Sequence, residues 1–535
     1  MKAALDWTAL GVFVFFFAAV TIMGFAAARW RRGDLSQLHE WGLGGRRFGS
    51  FVTWFLLGGD LYTAYTLIAV PALVYAVGAY GFFALPYTVF VYPIVFLTMP
   101  RLWNACRKHG WVTAADFVEG RYGSRGLALA VAITGVLATM PYIALQLVGL
   151  EVVFEAMGFS ALGVGKETPL LIAFVILALY TYSSGLRAPA LIAFVKDAML
   201  YITVIAAVVI IPMHLGGYGK VFAEAQAALT AKGGDADVLL KPDQYWSFAT
   251  LALGSALALF LYPHSMTATL SASGGDVIRR NAVWLPAYSL LLGLIALLGY
   301  MALAAHIKVD SGSMAVPALI NASFPPWFAG FCFAAIALGA LVPAAIMSIG
   351  AANLVTRNIW RPYVNKNLGD AAEARIAKAV SLLVKFGALL CVLYLPTKFA
   401  IDLQLLGGIW MLQIFPAVIF GLFLRWFRPS ALLLGWLAGM VLGSALAYAN
   451  GLKPVYMVTF TSGAHHGIYI GLIALAVNLF IALALTPVAV NLRREGSADR
   501  TQDEDYEDSS DVVIPAKAGL RREDVETHIR AADGM

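Results

Sequence analysis

Charge is what this sequence has least of. Lys, Arg, Asp and Glu make up 13% of its 535 residues, whereas 60% are hydrophobic, and a soluble chain of this size carries roughly a quarter charged residues. Cysteine is scarce too. Cys106, Cys332 and Cys391 stand far apart without metal-ligand spacing, so they read as free thiols. No phosphate-cradling P-loop occurs, which argues against an ATP-driven pump. No nucleophile–base pair, metal cluster or cofactor motif is seen either, so neither an enzyme nor a bound cofactor is expected. The connections between apolar runs are too short for a soluble domain of ordinary size.

What is present is a series of apolar runs of about 20 residues from Trp7 to near Ala489, each long enough to cross a bilayer. The chain reads as an all-α membrane protein with about 13 transmembrane helices. The spans are expected to begin near residues 7, 50, 82, 127, 169, 190, 247, 282, 327, 376, 399, 430 and 467. Span 1 is too long for a signal-peptide core, and basic residues follow rather than precede it, so it reads as a retained helix.

Lys and Arg fall mainly in the odd-numbered loops. Examples are Arg46 and Arg47, Arg101, Arg107 and Lys108, Arg121 and Arg125, Arg279 and Arg280, Arg357 and Arg361, and Arg425 and Arg428. About 27 of the 37 basic residues lie on that side and about 8 on the other, while Lys196 and Lys385 fall inside spans. The basic side is expected to be cytoplasmic, with the N-terminus outside and the C-terminus inside. Topology thus explains the net charge of +6, and no nucleic-acid partner is implied. The loop over 216–246 is expected to hold a short surface helix. The acidic, polar tail (EGSADRTQDEDYEDSSD) is expected to be disordered.

Two spans carry Gly and Pro at membrane depth, where irregular backbone is tolerated only beside protein or a lined cavity. Span 2 contains Gly58, Gly59, Asp60 and Pro71; span 7 contains Gly254, Pro263 and His264. They are five spans apart, as in transporters of the LeuT type built from two five-helix inverted repeats, here spans 2–6 and 7–11. Ionisable groups at depth cost about 2.5–3.5 kcal/mol on insertion scales. Asp60, flanked by Tyr62, Thr63, Tyr65 and Thr66, marks the most polar patch in any span. Lys196 and Asp197 lie one to two turns into span 6, where Lys196 either faces inward or snorkels to the interface. His264 either donates to a substrate or caps the break. Tyr142 and Gln146 share one face of span 4, as substrate contacts or as glue between helices. Lys385 and Asp402, nearer to helix ends, read as structural.

Several segments together resemble the sodium:solute symporter family from about Trp7 to Leu424. They are WGLGGRRFGSFVTWF, TAADFVEGRYGSRG, YTYSSGLRAPALIAFVKD, YPHSMTATLSA and NLVTRNIWRP. GGDLYTAYTLIAVPALVY and GALVPAAIMSIGAANLVTRNIW are similar to the bacterial monocarboxylate permease subgroup. The resemblance implies a bacterial inner-membrane location and a division into a leading helix and loop (1–49), a LeuT-like core (50–424), two trailing helices (425–490) and the tail (491–535). It also implies two adjacent hydroxyl residues on span 9 as sodium ligands, but Val342 and Pro343 stand there; a family acidic residue on span 6 matches Ala193. Hard cations need several oxygens, so the resemblance to sodium-coupled members fails at the ion. Lys196, three residues after Ala193, is directed at the same region and is expected to titrate in place of sodium, with Asp60 as its partner.

The expected function is therefore symport of small monocarboxylates (lactate, pyruvate, acetate, propionate) by alternating access in a lipid bilayer. Protons, or failing that sodium, are the coupling ion. Thr63, Tyr65, Tyr142, Gln146 and His264 are the expected substrate contacts, and Asp60 and Lys196 the ion-coupling pair. A sodium symporter of another solute, a transporter-like sensor and a channel stand as alternatives.

Overall fold

The computed structural model describes residues 5–30, 33–159, 167–394, 400–459, 465–491 and 499–508, with backbone alone at 167, 391–394, 400–403 and 491. The side chains of Cys391 and Asp402 therefore lie outside the description, as do the remainder of the tail and Arg31 and Arg32. Helices occupy every expected span. They begin at Trp7, Ser50, Ala84, Arg125, Glu167, Arg187, Tyr245, Gly275, Pro326, Asp370, Ala400, Pro429 and Ile470. Among the described residues nine helices are long and apolar enough to cross a membrane, eleven when each bent pair counts as one span. The molecule is a multi-pass membrane protein.

Span 9, Pro326–Leu354, is the axis of the bundle. Its apolar stretch is buried throughout, whereas those of spans 1, 12 and 13 are no more than a third buried and line the periphery. Span 9 carries no charge, and its glycines let neighbours approach to backbone distance, the usual device for packing helices in lipid. A methyl at Gly330 would stand 2.2 Å from the Ala9 carbonyl oxygen of span 1, and one at Gly350 would stand 2.6 Å from that of Pro263 in span 7. Both broken helices pack on this axis.

The loop between spans 6 and 7 holds the expected surface helix, Tyr218–Lys232. One element departs from an all-helical reading. Val455–Thr459 and His465–Tyr469 pair as an antiparallel hairpin, so span 13 begins at Ile470 rather than near 467. The alternation in VYMVT suits a strand. Tyr469 closes the hairpin against the bundle, its ring over Gly254 and its hydroxyl donating to the Leu405 carbonyl at 2.7 Å.

The family-like motifs meet on the basic face. Thr113 donates to Asn358 at 2.7 Å, and Asn358 donates to Asp116 at 2.7 Å, joining TAADF to TRNIW. Glu40 receives both Arg47 and the buried Arg187, joining the loop before span 2 to the turn before span 6. The tail departs from the expected disorder over 499–508. There its carboxylates find Lys108, Arg121, Arg279 and Arg425, and Tyr506 is buried.

Candidate substrate and ion site

Span 2 runs as Ser50–Leu61, leaves helical geometry at Tyr62 (φ −88°, ψ 92°), and resumes through a π turn, Tyr65–Ala69, into Val70–Val77. The two parts are bent by 48°. Pro71 sits in the first turn of the resumed helix, where a proline is tolerated. The glycines before the break make room for neighbours. A methyl at Gly58 would meet the Tyr288 ring at 2.9 Å, and one at Gly59 would stand 3.0 Å from both Lys196 Nζ and Asp197 Oδ2.

Three amides at the break have side-chain partners. Thr63 N–H donates to Thr66 Oγ1 (3.0 Å), Ala64 N–H to Gln146 Oε1 (2.8 Å) and Tyr65 N–H to Thr63 Oγ1 (3.1 Å). Gln146 is held for this task by donating to the Tyr142 carbonyl one turn back at 3.2 Å. Replacing it with Leu keeps most of the volume but strands a buried N–H, at a cost of about 1–3 kcal/mol. Gln146→Leu is expected to lower the apparent melting temperature in detergent and to cut transport at least about tenfold. Unchanged melting and transport would show that water fills the gap.

Span 7 breaks in the same way. Tyr245–Leu259 and Pro263–Leu270 are also bent by 48°, and Pro263 opens the second part, where its missing N–H is no loss. No side chain caps that helix start.

The two breaks face each other through Asp60. Its Oδ2 accepts from Ser265 Oγ at 3.0 Å and lies 3.8 Å from His264 Nε2. The His264 ring packs against Tyr142 and Tyr262, with centroids 5.2 and 5.3 Å away. All of these side chains are buried. Among the described residues Asp60 Oδ1 and His264 Nδ1 have no hydrogen-bond partner, although buried polar groups nearly always have one. Tyr65 is buried beside Tyr87 and Tyr142.

Lys196 does not snorkel. Fully buried, it donates to the Gly59 carbonyl at 2.5 Å, lies 3.4 Å from that of Tyr62 and pairs with Asp197 at 2.9 Å. These carbonyls end the Ser50–Leu61 helix, where the macrodipole favours a cation. The expected pairing with Asp60 is not made: Asp60 turns toward span 7, and Asp197 supplies the carboxylate. On span 9, Val342 and Pro343 are buried and offer no side-chain oxygen. Lys385 is also buried, donating to Ser381 at 2.9 Å, which donates to Ser348 of span 9 at 3.1 Å.

Of the expected residues, Asp60, Tyr142 and His264 converge at the facing breaks, and Gln146 and Thr63 serve the backbone of span 2. Ser265 and Tyr262 were not singled out in the sequence; both flank His264 in YPHSM, where the break itself was the signal. A cavity of about 730 Å³ opens on the even-loop face, lined by Tyr80, Lys232, Ser247 and His465 among others. Below the span 7 break on the basic side, Thr113, Pro263, Thr267 and Gly350 help enclose only about 20 Å³, room for about one water.

Residues 41–443 match the sodium:solute symporter family. The chain belongs to that family. A relative from Rhizobium johnstonii named a monocarboxylate transport permease protein is 59% identical over 92% of this chain and 100% of its own length. An uncharacterized symporter of Bacillus subtilis is 34% identical over 90% of this chain and 94% of its own. The solved structure of a Na+-coupled sialic acid symporter, in a substrate-bound outward-open state, superposes with a TM-score of 0.72 at 14% identity, covering 90% of this symporter and 98% of that chain. That likeness fixes the fold, the LeuT-like arrangement of the family.

Proposed function

We propose that this symporter carries small monocarboxylates of the lactate, pyruvate, acetate and propionate class across a bacterial inner membrane, with protons as the coupling ion. The basic face is cytoplasmic, so the N-terminus lies outside. The observation that carries the coupling is the Lys196 ammonium on the Gly59 and Tyr62 carbonyls, beside a span 9 that offers no hydroxyl pair at Val342 and Pro343. A lysine there does what a bound cation does: it holds the break of span 2 to span 6. Unlike sodium, it is loaded and unloaded by a proton.

The substrate class rests on the relative that shares 59% identity over its whole length. The facing breaks supply a setting for a carboxylate between spans 2, 4 and 7, with Thr63, Tyr65, Tyr142, Gln146 and His264 around it. A protonated Lys196 and a bound anion stabilise each other through the field, so each raises the other's affinity. That reciprocity is the thermodynamic basis of symport.

Labelled pyruvate uptake into proteoliposomes, with a proton or a sodium gradient imposed separately, tests the reading. Accumulation under the proton gradient alone is expected. Accumulation under sodium alone would overturn the assignment of Lys196, and none under either gradient would overturn the substrate class.

A further inference from the structure

The described tail, residues 499–508, lies across the basic face as a strap bound to both inverted repeats. On the first repeat, Asp505 pairs with Lys108 and His109, both at 2.7 Å, and Asn104 donates to Asp508 at 3.0 Å. Asp499 pairs with Arg121 at 2.6 Å, and Arg500 N–H donates to the Gly120 carbonyl at 2.8 Å. On the second repeat, Arg279 at the start of span 8 pairs with Asp508. Arg425, beyond span 11, reaches Asp499 at 2.6 Å and Asp503 at 2.8 Å. Tyr506 anchors the middle, buried between the edge-on Phe117 ring and the Arg101 guanidinium 5.1 Å from its centroid. Gly275 leaves space for Asp508, whose Oδ1 stands 3.0 Å from where a methyl would sit.

Alternating access moves one repeat or bundle against the other. A strap bound to both cannot keep all its contacts while the basic face opens. Beside the strap that face carries a cavity of about 410 Å³ lined by His109, Asp116, Arg357 and Arg500 among others. At the span 7 break, however, only about 20 Å³ is open on that side, while the opposite face holds the 730 Å³ cavity. We propose that residues 499–508 are a latch that holds the basic face closed and must release for substrate to pass to that side.

Salt is a lever that releases it, because the strap's carboxylates hold their charge down to low pH. Burial pushes the Asp505 carboxyl up, but hydrogen bonds from Lys108, His109 and the Gln502 amide outweigh this and hold it at about 2. Asp508 is likewise lowered by Asn104 and Arg279 against its burial. Carboxylates with depressed pKa values contribute above their ordinary range and lose that contribution only as pH falls toward 2. Lys108 and Arg425 are about half exposed, so salt screens their pairs.

The test uses the full chain in proteoliposomes and two readouts. In the first, Asp499→Asn with Asp505→Asn and Asp508→Asn is expected to speed pyruvate exchange at least about threefold at low ionic strength. The variant is also expected to lose the acceleration by salt that the wild type shows. The second needs no substrate: maleimide labelling, from the tail side, of a cysteine placed at Thr267 in the small cavity. The same three substitutions are expected to speed it. Bridging Lys108→Cys to Asp505→Cys with a short bis-methanethiosulfonate is expected to slow it until a reductant is added. Wild-type labelling rates in the neutralised variant, or labelling indifferent to the bridge, would overturn the latch. Absence of pyruvate exchange in the wild type would overturn the substrate reading instead, and labelling alone would then decide.

Discussion

Lys196→Met is expected to abolish gradient-driven accumulation while exchange of labelled for unlabelled substrate continues. Methionine keeps the apolar stem of a fully buried side chain, so what is removed is the charge on the Gly59 and Tyr62 carbonyls. The substitution also strands Asp197, whose Oδ1 lies 2.9 Å from the ammonium. Breaking a buried pair from one side costs about 3–5 kcal/mol, because the remaining charge is left uncompensated. A single variant that merely unfolds would mimic lost coupling, so the double variant Lys196→Met with Asp197→Asn is the decisive one. It removes both charges together and is expected to recover most of the thermal stability in detergent, yet still fail to accumulate pyruvate. Its exchange rate should no longer depend on pH. Accumulation by the double variant at the wild-type level would sink the lysine as the coupling group, and accumulation driven by sodium would return the ion to the site.

The helical frame was legible because the membrane leaves few choices. Apolar runs of span length can only be helices there, and the largest error in a helix start is at Gly275, expected near 282. That error has a cause: GGDVIRR is polar, so span 8 extends past its apolar run into the basic face. The breaks at Gly58–Gly59 and Pro263 were legible for the complementary reason, since Gly and Pro at depth need a special setting. The hairpin over Val455–Thr459 and His465–Tyr469 was not, because five-residue strands carry too weak a period to separate from the start of a helix.

The site was legible in its residues more than in its pairings. Asp60 and Lys196 stood out because each is costly in hydrocarbon, yet the sequence could not say which carboxylate faces the lysine. That is decided by the bend of span 2, which turns Asp60 to Ser265 and leaves Lys196 to Asp197. Gln146 was open between substrate contact and helix glue. In the structure it caps the Ala64 amide, a demand that exists only once span 2 is broken. The strap at 499–508 is hidden from the sequence for a related reason: composition shows a segment unable to build a core of its own, and these ten residues use a surface built by other parts of the chain.

Asp60 itself supports the second large effect. An ionised carboxylate at the facing breaks repels an anionic substrate. At an effective dielectric of about 20 and a separation of about 6 Å, that repulsion is about 3 kcal/mol, which Lys196 partly offsets. Asp60→Asn retains an oxygen to accept from Ser265 and removes the charge. It is expected to lower the KM for pyruvate about tenfold, which is roughly 1.4 kcal/mol, with accumulation preserved because Lys196 remains. Asp60→Ala differs in kind. It strands the Ser265 hydroxyl and removes the carboxylate beside His264, so it is expected to lower transport without improving affinity. If Asn and Ala variants behaved alike, the hydrogen bond from Ser265 would contribute nothing beyond the charge at this position. An unchanged KM in Asp60→Asn would show that the substrate carboxylate meets no charge at Asp60, either because it binds elsewhere or because the buried carboxyl is already neutral. Side by side, the two substitutions separate the charge of Asp60 from its hold on span 7.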